Sequence, residues 1–197
     1  MNNDNSMLAS PPTASPPSLL ERLREATGPS HQRLDASFGS LALTDRADYA
    51  RFLAAHFIGL ASLMPLVQDF AERELAFTAP DMLSMLRQDL AELGPKAEDL
   101  PRMKAPPDLA PLGVTYVVAG SRLGLAMIRK QDYWGRGQGL ASRYMEDEQG
   151  LALWRVLAVW LRTRAAPAAD AARHCQSAIT AFDLFGRAFD ASERLAA

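Results

Sequence analysis

Three histidines, one cysteine and a pair of closely spaced glycines are the places where this 197-residue chain could do chemistry. In "HQRLD", His31 is followed by Asp35, and an i,i+4 spacing puts both side chains on one helix face. A carboxylate beside an imidazole fixes its tautomer and orientation, which is what a metal-binding histidine needs from its surroundings. The same pair also fits a partly buried histidine satisfied by a neighbouring acid, and spacing alone favours that plainer role. His56, with Phe52 and Leu60 one turn to either side, reads as core packing or as a polar tip at a helix interface. His174, in the polar stretch "ARHCQ", reads as exposed. Cys175 is the only cysteine, so no intrachain disulfide and no Cys-based zinc site can form, and a reducing compartment is the natural setting. "EDE" at 146–148 reads as a solvated face, with no Glu-x-x-His pair of the di-iron type anywhere. The chain also lacks a nucleophile elbow, which leaves hydrolase readings weak.

The glycines raise a different question. "YVVAGSRLGLAM" carries Gly120 and Gly124 on one face of an apolar run, and each glycine costs a helix about 1 kcal/mol relative to alanine. Either another helix packs closely there, as G-x-x-x-G permits, or a flat ligand lies against the bare backbone while Ser121 and Arg122 project elsewhere. "VTYVVAGSRLG" also has the look of a strand entering a glycine turn. Its spacing fits neither G-x-G-x-x-G nor the phosphate-binding loop, and no second strand-like run exists to pair with it. The run is therefore read as helix.

Helical signals recur along the whole chain, so the predicted fold class is all-α. Ser18 and Glu21 form a capping box, followed by an apolar stripe of Leu20, Leu23, Thr27, His31, Leu34 and Phe38. Gly28-Pro29 predicts a kink in that helix or a junction of two. A second helix is expected from Thr44 to Glu74, with Tyr49, Phe52, Leu53, His56, Leu60 and Leu63 facing inward and a bend at Pro65. "DMLSMLRQDLAEL" lies between Pro80 and Gly94, the expected start and stop. A Pro-rich loop leads to the glycine-bearing helix, from about Pro111 to Trp134, which ends in the turn "GRGQG". Two further helices are expected over 140–164 and 168–195.

A net charge of −2 offers no electrostatic reason to expect nucleic acid as a partner. The longest apolar candidate for a membrane span, "LALWRVLAVWL", is interrupted by Arg155 and is too short. Residues 1–17, rich in Pro, Ser and Asn, lack the basic start and apolar core of a secretion signal. They read as a disordered tail ahead of a folded domain at 18–197, and the expected location is cytoplasmic.

Two segments resemble a known family. "LREATGPSHQRLDASF" is similar to the proximal helix of haem oxygenases, and "LGVTYVVAGSRLG" to their distal helix, above all in the bacterial, phytochrome-associated, biliverdin-producing branch. "LTDRADYARFLAAHF" and "LWRVLAVWL" sit where that branch has similar segments, so the likeness spans about 18 to 190. It implies a single-domain helical bundle that holds haem, as substrate and cofactor, between a proximal and a kinked distal helix. His31 would be the iron ligand, with Asp35 orienting it through water. Gly120, Ser121 and Gly124 would form the distal catalytic segment, with Tyr116 and Leu125 beside the haem, and Arg24 and Arg173 are the candidates for its propionates. The implied reaction opens haem to biliverdin, CO and ferrous iron, using O2 and electrons from a ferredoxin or reductase. A bacteriophytochrome is the implied biliverdin acceptor. The chain departs from the branch at Ala119, where Glu is usual, at Leu125, where a small residue is usual, and at Ser121, which stands in place of the Asp of the animal enzymes. The alternative is a haem-binding or interaction protein without ring-opening activity.

Overall fold

The longer helices mostly start where a side chain accepts from free backbone N–H groups, or where a proline leaves one fewer to satisfy. The computed structural model describes residues 17–164 and 168–195, so the expected N-terminal tail lies, apart from Pro17, outside the described residues. Helix α1 (Leu19–Phe38) opens with the capping box: the Ser18 hydroxyl accepts from the Glu21 N–H, and the Glu21 carboxylate accepts from the Ser18 N–H at 2.7 Å. The helix runs unbroken through Pro29, so Gly28-Pro29 marks neither an end nor a junction. Asp45 caps α2 (Arg46–Ala61) by accepting from the N–H groups of Ala47 and Asp48. The long second helix expected from the sequence is two helices. The chain turns by 63° between α2 and α3 (Met64–Leu75). The break at Ser62–Leu63 precedes Pro65, which takes a place in the first turn of α3 where its missing N–H has no cost.

Asp81 caps α4 (Met82–Leu93), and Gly94 ends it at φ 108°, a conformation that favours glycine. Helix α5 (Pro111–Ile128) is the glycine-bearing segment, shorter at its C-terminal end than the sequence suggested. The "GRGQG" turn is itself a helical turn, α6 (Trp134–Gln138), closed by Gly139 at φ 67°. The helix expected over 140–164 divides into α7 (Arg143–Glu146) and α8 (Gln149–Arg162). Helix α9 (Ala168–Ala191) follows and tightens into a 3₁₀ turn at Ser192–Leu195.

No strand occurs among the described residues. Helix α9 packs against α1, α2 and α5, α5 also packs against α3 and α8, and α4 rests on α2 and α7. One continuous apolar core joins them. By length and composition alone α5 could cross a membrane, but 56% of it is buried inside the bundle. Its apolar character is that of a core helix.

The glycine that α5 needs for packing is Gly113, which the sequence reading passed over. A Cβ there would collide with the His174 carbonyl oxygen of α9 and lie 3.0 Å from the Ala178 nitrogen. The side chain of His174, expected to be exposed, is half-buried in this contact zone, with Nδ1 buried and unpartnered among the described residues.

Candidate functional site

The apolar stripe of α1 is covered only over its first half. Leu20, Leu23 and Thr27 are buried, but His31 and Asp35 leave 61% and 68% of their side chains exposed. Beyond Thr27 the stripe forms one wall of a cavity of about 570 Å³, and α5 forms the other. That volume is in the range of small-molecule and cofactor sites.

Across this gap the structure brings together most of the residues singled out in the sequence: Arg24, His31, Asp35, Tyr116, Gly120, Ser121, Gly124 and Leu125 all line it. Arg173 does not; it is exposed on α9, so the candidate for a second carboxylate partner is withdrawn. Ala119 of α5 is fully buried and does not line the cavity.

His31 and Asp35 meet directly, with Nδ1 2.9 Å from Oδ2. The expected water bridge is therefore replaced by a direct contact. When Nδ1–H donates to this carboxylate, Nε2 is left as the bare, ligating nitrogen. The ring is steadied edge-on by Phe182 of α9, with centroids 5.7 Å apart.

On the facing wall, close helix packing does not explain the glycine pair. A Cβ on Gly124 would meet nothing within 4 Å, and one on Gly120 would make only ordinary contact with the Trp154 ring at 3.4 Å. Gly28, on the wall of α1, is equally open. The missing side chains leave bare backbone facing the space on both sides. Ser121 was expected to project away but lines the cavity, its hydroxyl donating to the Val118 carbonyl at 2.8 Å. Leu125 is 3% exposed and lines the same wall. At the mouth, Leu123 and Met127 are 43% and 61% exposed, apolar surface that an apolar ligand would cover. Burial raises the pKa of the Tyr116 phenol, an effect the charge of Arg24 opposes.

Other lining residues carried no sequence signal of function. Trp154 comes from α8, and Phe182 and Phe185 from α9; in sequence they are ordinary core positions. His56 of α2 also lines the cavity. It is 7% exposed, as its core-packing reading implied, and burial holds its pKa down at about 4, helped by the charge of Arg122.

Arg122 itself points away from the cavity and is 2% exposed. Its guanidinium donates to the carbonyls of Tyr144 and Asp147, at 2.7 and 3.2 Å, and pairs with the Asp147 carboxylate at 3.2 Å. "EDE" is therefore no simple solvated face. Asp147 leaves 4% of its side chain exposed and ties α5 to the α7–α8 junction, while Glu146 accepts from the Tyr133 hydroxyl at 2.7 Å.

No group of three or more His, Cys, Asp or Glu side chains that could hold a metal ion occurs among the described residues. An exposed imidazole with no cluster of further protein ligands around it suits instead a metal that brings its other ligands in a macrocycle. The flat gap, the bare backbone at Gly28 and Gly124, the aromatic floor and Arg24 near the opening all fit such a group.

The sequence matches no family model and no curated protein. Its fold is that of haem oxygenase. The enzyme from Neisseria meningitidis, crystallised with NO and with CO bound, is similar with a TM-score of 0.68 at 19% sequence identity, over 89% of this chain and 92% of that one.

Proposed function

We propose that this protein is a haem oxygenase, a helical domain over 18–197 that binds haem between α1 and α5 and opens it to biliverdin. The observation that carries the reading is His31, exposed on the wall of a largely apolar cavity, its Nδ1 tied to Asp35 and glycine-bared backbone facing it across the gap. Bound haem would supply both the oxygen-activating iron and the ring that is cleaved, releasing CO and ferrous iron.

The chain's own residues do the rest. His31 presents Nε2 as the iron ligand, and Asp35 holds its tautomer. Arg24 pairs with a carboxylate at the ring edge. Gly124 and Gly120 keep the far wall thin, so that a small diatomic ligand fits beside the ring. Ser121, with its hydrogen donated to Val118, offers only oxygen lone pairs to water in the cavity. Leu123 and Met127 close over the apolar ring edge and exclude solvent. Electrons come from a ferredoxin or reductase, the setting is cytoplasmic, and a bacteriophytochrome is a natural acceptor for the bilin.

Leu125 favours a second reading. Its side chain stands on the cavity wall where the similar branch has a small residue, and added bulk there suits a protein that holds haem without opening it. A haemin titration followed by ascorbate, or by ferredoxin with its reductase, in air separates the two. A saturable Soret band that decays as a biliverdin band grows is the expected result. A stable Soret band without bilin identifies the haem-binding module, and absence of saturable binding refutes both.

A further inference from the structure

His56 is a second imidazole on the cavity wall, and the iron-ligand role of His31 leaves it unused. Its Nδ1 lies 2.9 Å from the carbonyl oxygen of Phe52. A carbonyl only accepts, so Nδ1 carries the proton and Nε2 of the neutral ring is an acceptor alone. The contact with the Phe52 carbonyl sets the ring's orientation, and Phe52, Phe38 and Tyr144 enclose it at centroid distances of 4.4, 4.8 and 5.4 Å. Nε2 makes no hydrogen bond to any described residue, and it is not sealed off in the core, since the residue lines the cavity. The titratable and charged neighbours are few: Tyr144 from α7 and, across it, Arg122 from α5, whereas α1 and α9 present Phe38 and Phe185. Ser121 has given its one hydrogen to its own helix. An acceptor that opens onto a cavity and has no protein donor is a place for a water molecule to donate a hydrogen bond.

We propose that His56 Nε2 is a fixed hydrogen-bond acceptor of the cavity, a positioning residue that holds a water molecule beside the bound haem by accepting a hydrogen bond from it. The proposal rests on the haem reading above. An acceptor in this place favours the protonated form of whatever it holds. Its removal lets that proton leave at lower pH.

Two measurements test this. In the ligand-free protein, ¹⁵N-histidine NMR at neutral pH should show His56 protonated at Nδ1 and bare at Nε2, the signal being assigned by its loss in His56→Phe. A proton on Nε2 overturns the proposal without any haem being present. In the ferric haemin complex, His56→Phe should lower the pH midpoint of the acid–alkaline shift of the Soret band by about half to one unit, the worth of one hydrogen bond. His56→Gln retains an acceptor and should return the midpoint towards wild type. The Phe52 carbonyl keeps its backbone partner within α2, so neither variant strands it. An unchanged midpoint in His56→Phe, or a shift just as large in His56→Gln, overturns the role of His56 while leaving the haem reading intact. No Soret band in the wild type overturns both.

Discussion

On the proposed reading, a single nitrogen, His31 Nε2, decides whether the cavity ligates iron. His31 Nδ1 is engaged by Asp35 at 2.9 Å, so His31→Ala removes the only histidine on the α1 wall and should abolish the imidazole-ligated haem spectrum, read by absorbance on haemin titration. Persistence of that spectrum would pass the ligand role to His56, whose Nδ1 is committed to Phe52 but whose Nε2 is free. Asp35→Asn preserves the shape of the pair and removes its charge, so haem should still bind but with a weaker ligand field. Losing an outer partner of this kind commonly costs about 10- to 100-fold in metal affinity or activity. Leu125 is tested in the opposite direction. If its bulk crowds the facing wall, Leu125→Gly raises single-turnover biliverdin formation several-fold at unchanged haemin affinity. Equal rates in the two proteins would acquit the leucine.

At the scale of the helix, the glycines of α5 divide into two kinds that the sequence does not distinguish. Gly113 meets the backbone of α9, whereas Gly124 meets nothing. Gly113→Ala should therefore destabilise the ligand-free fold by about 1–3 kcal/mol, as overpacking does, seen as a lower urea midpoint at constant slope. Gly124→Ala should leave that midpoint unchanged or slightly raised, because alanine favours helix, and should weaken haemin binding. The reverse pattern would mean that Gly124 is structural. The capping box of α1 and the limits of α4 were legible because their signals are local: a side chain and an N–H three residues apart in the first, Pro80 and Gly94 in the second. The His31–Asp35 pair was legible for the same reason. The 63° turn between α2 and α3 was displaced in the reading from Ser62–Leu63 to Pro65, since a proline suits a first turn as well as a bend. The break at Asp147 was missed altogether. That carboxylate leaves the helical pattern to pair with Arg122, a partner 25 positions away whose burial follows from packing. Trp154, Phe182 and Phe185 escaped for a similar reason, because nothing local separates a cavity floor from a core.

Across the whole molecule, the helices converge on a core that is filled on one side and open between α1 and α5 on the other, and His56 sits at the boundary between the two. Its burial makes the fold itself sensitive to acid. In the unfolded chain a histidine titrates near pH 6.5, whereas in the folded protein burial holds His56 down at about 4. Between these values the unfolded state binds the extra proton, so this contribution to stability is complete above about pH 6.5 and is lost as the pH falls towards 4. At 1.36 kcal/mol per unit, the loss from pH 7 to pH 5 comes to about 2 kcal/mol. Asp89 acts in the opposite sense. Burial raises its carboxyl pKa, so the stability it contributes is greatest below the ordinary carboxylate value and fades as the pH rises through its folded value. Urea unfolding of the haem-free protein at pH 7 and pH 5 should therefore show a clear loss of stability in wild type and a much smaller one in His56→Phe, which has no proton to gain there. An equal loss in both proteins would place the acid sensitivity elsewhere in the bundle and show that His56 titrates near its ordinary value. An imidazole accessible enough to do that would not be the locked acceptor that its aromatic enclosure describes.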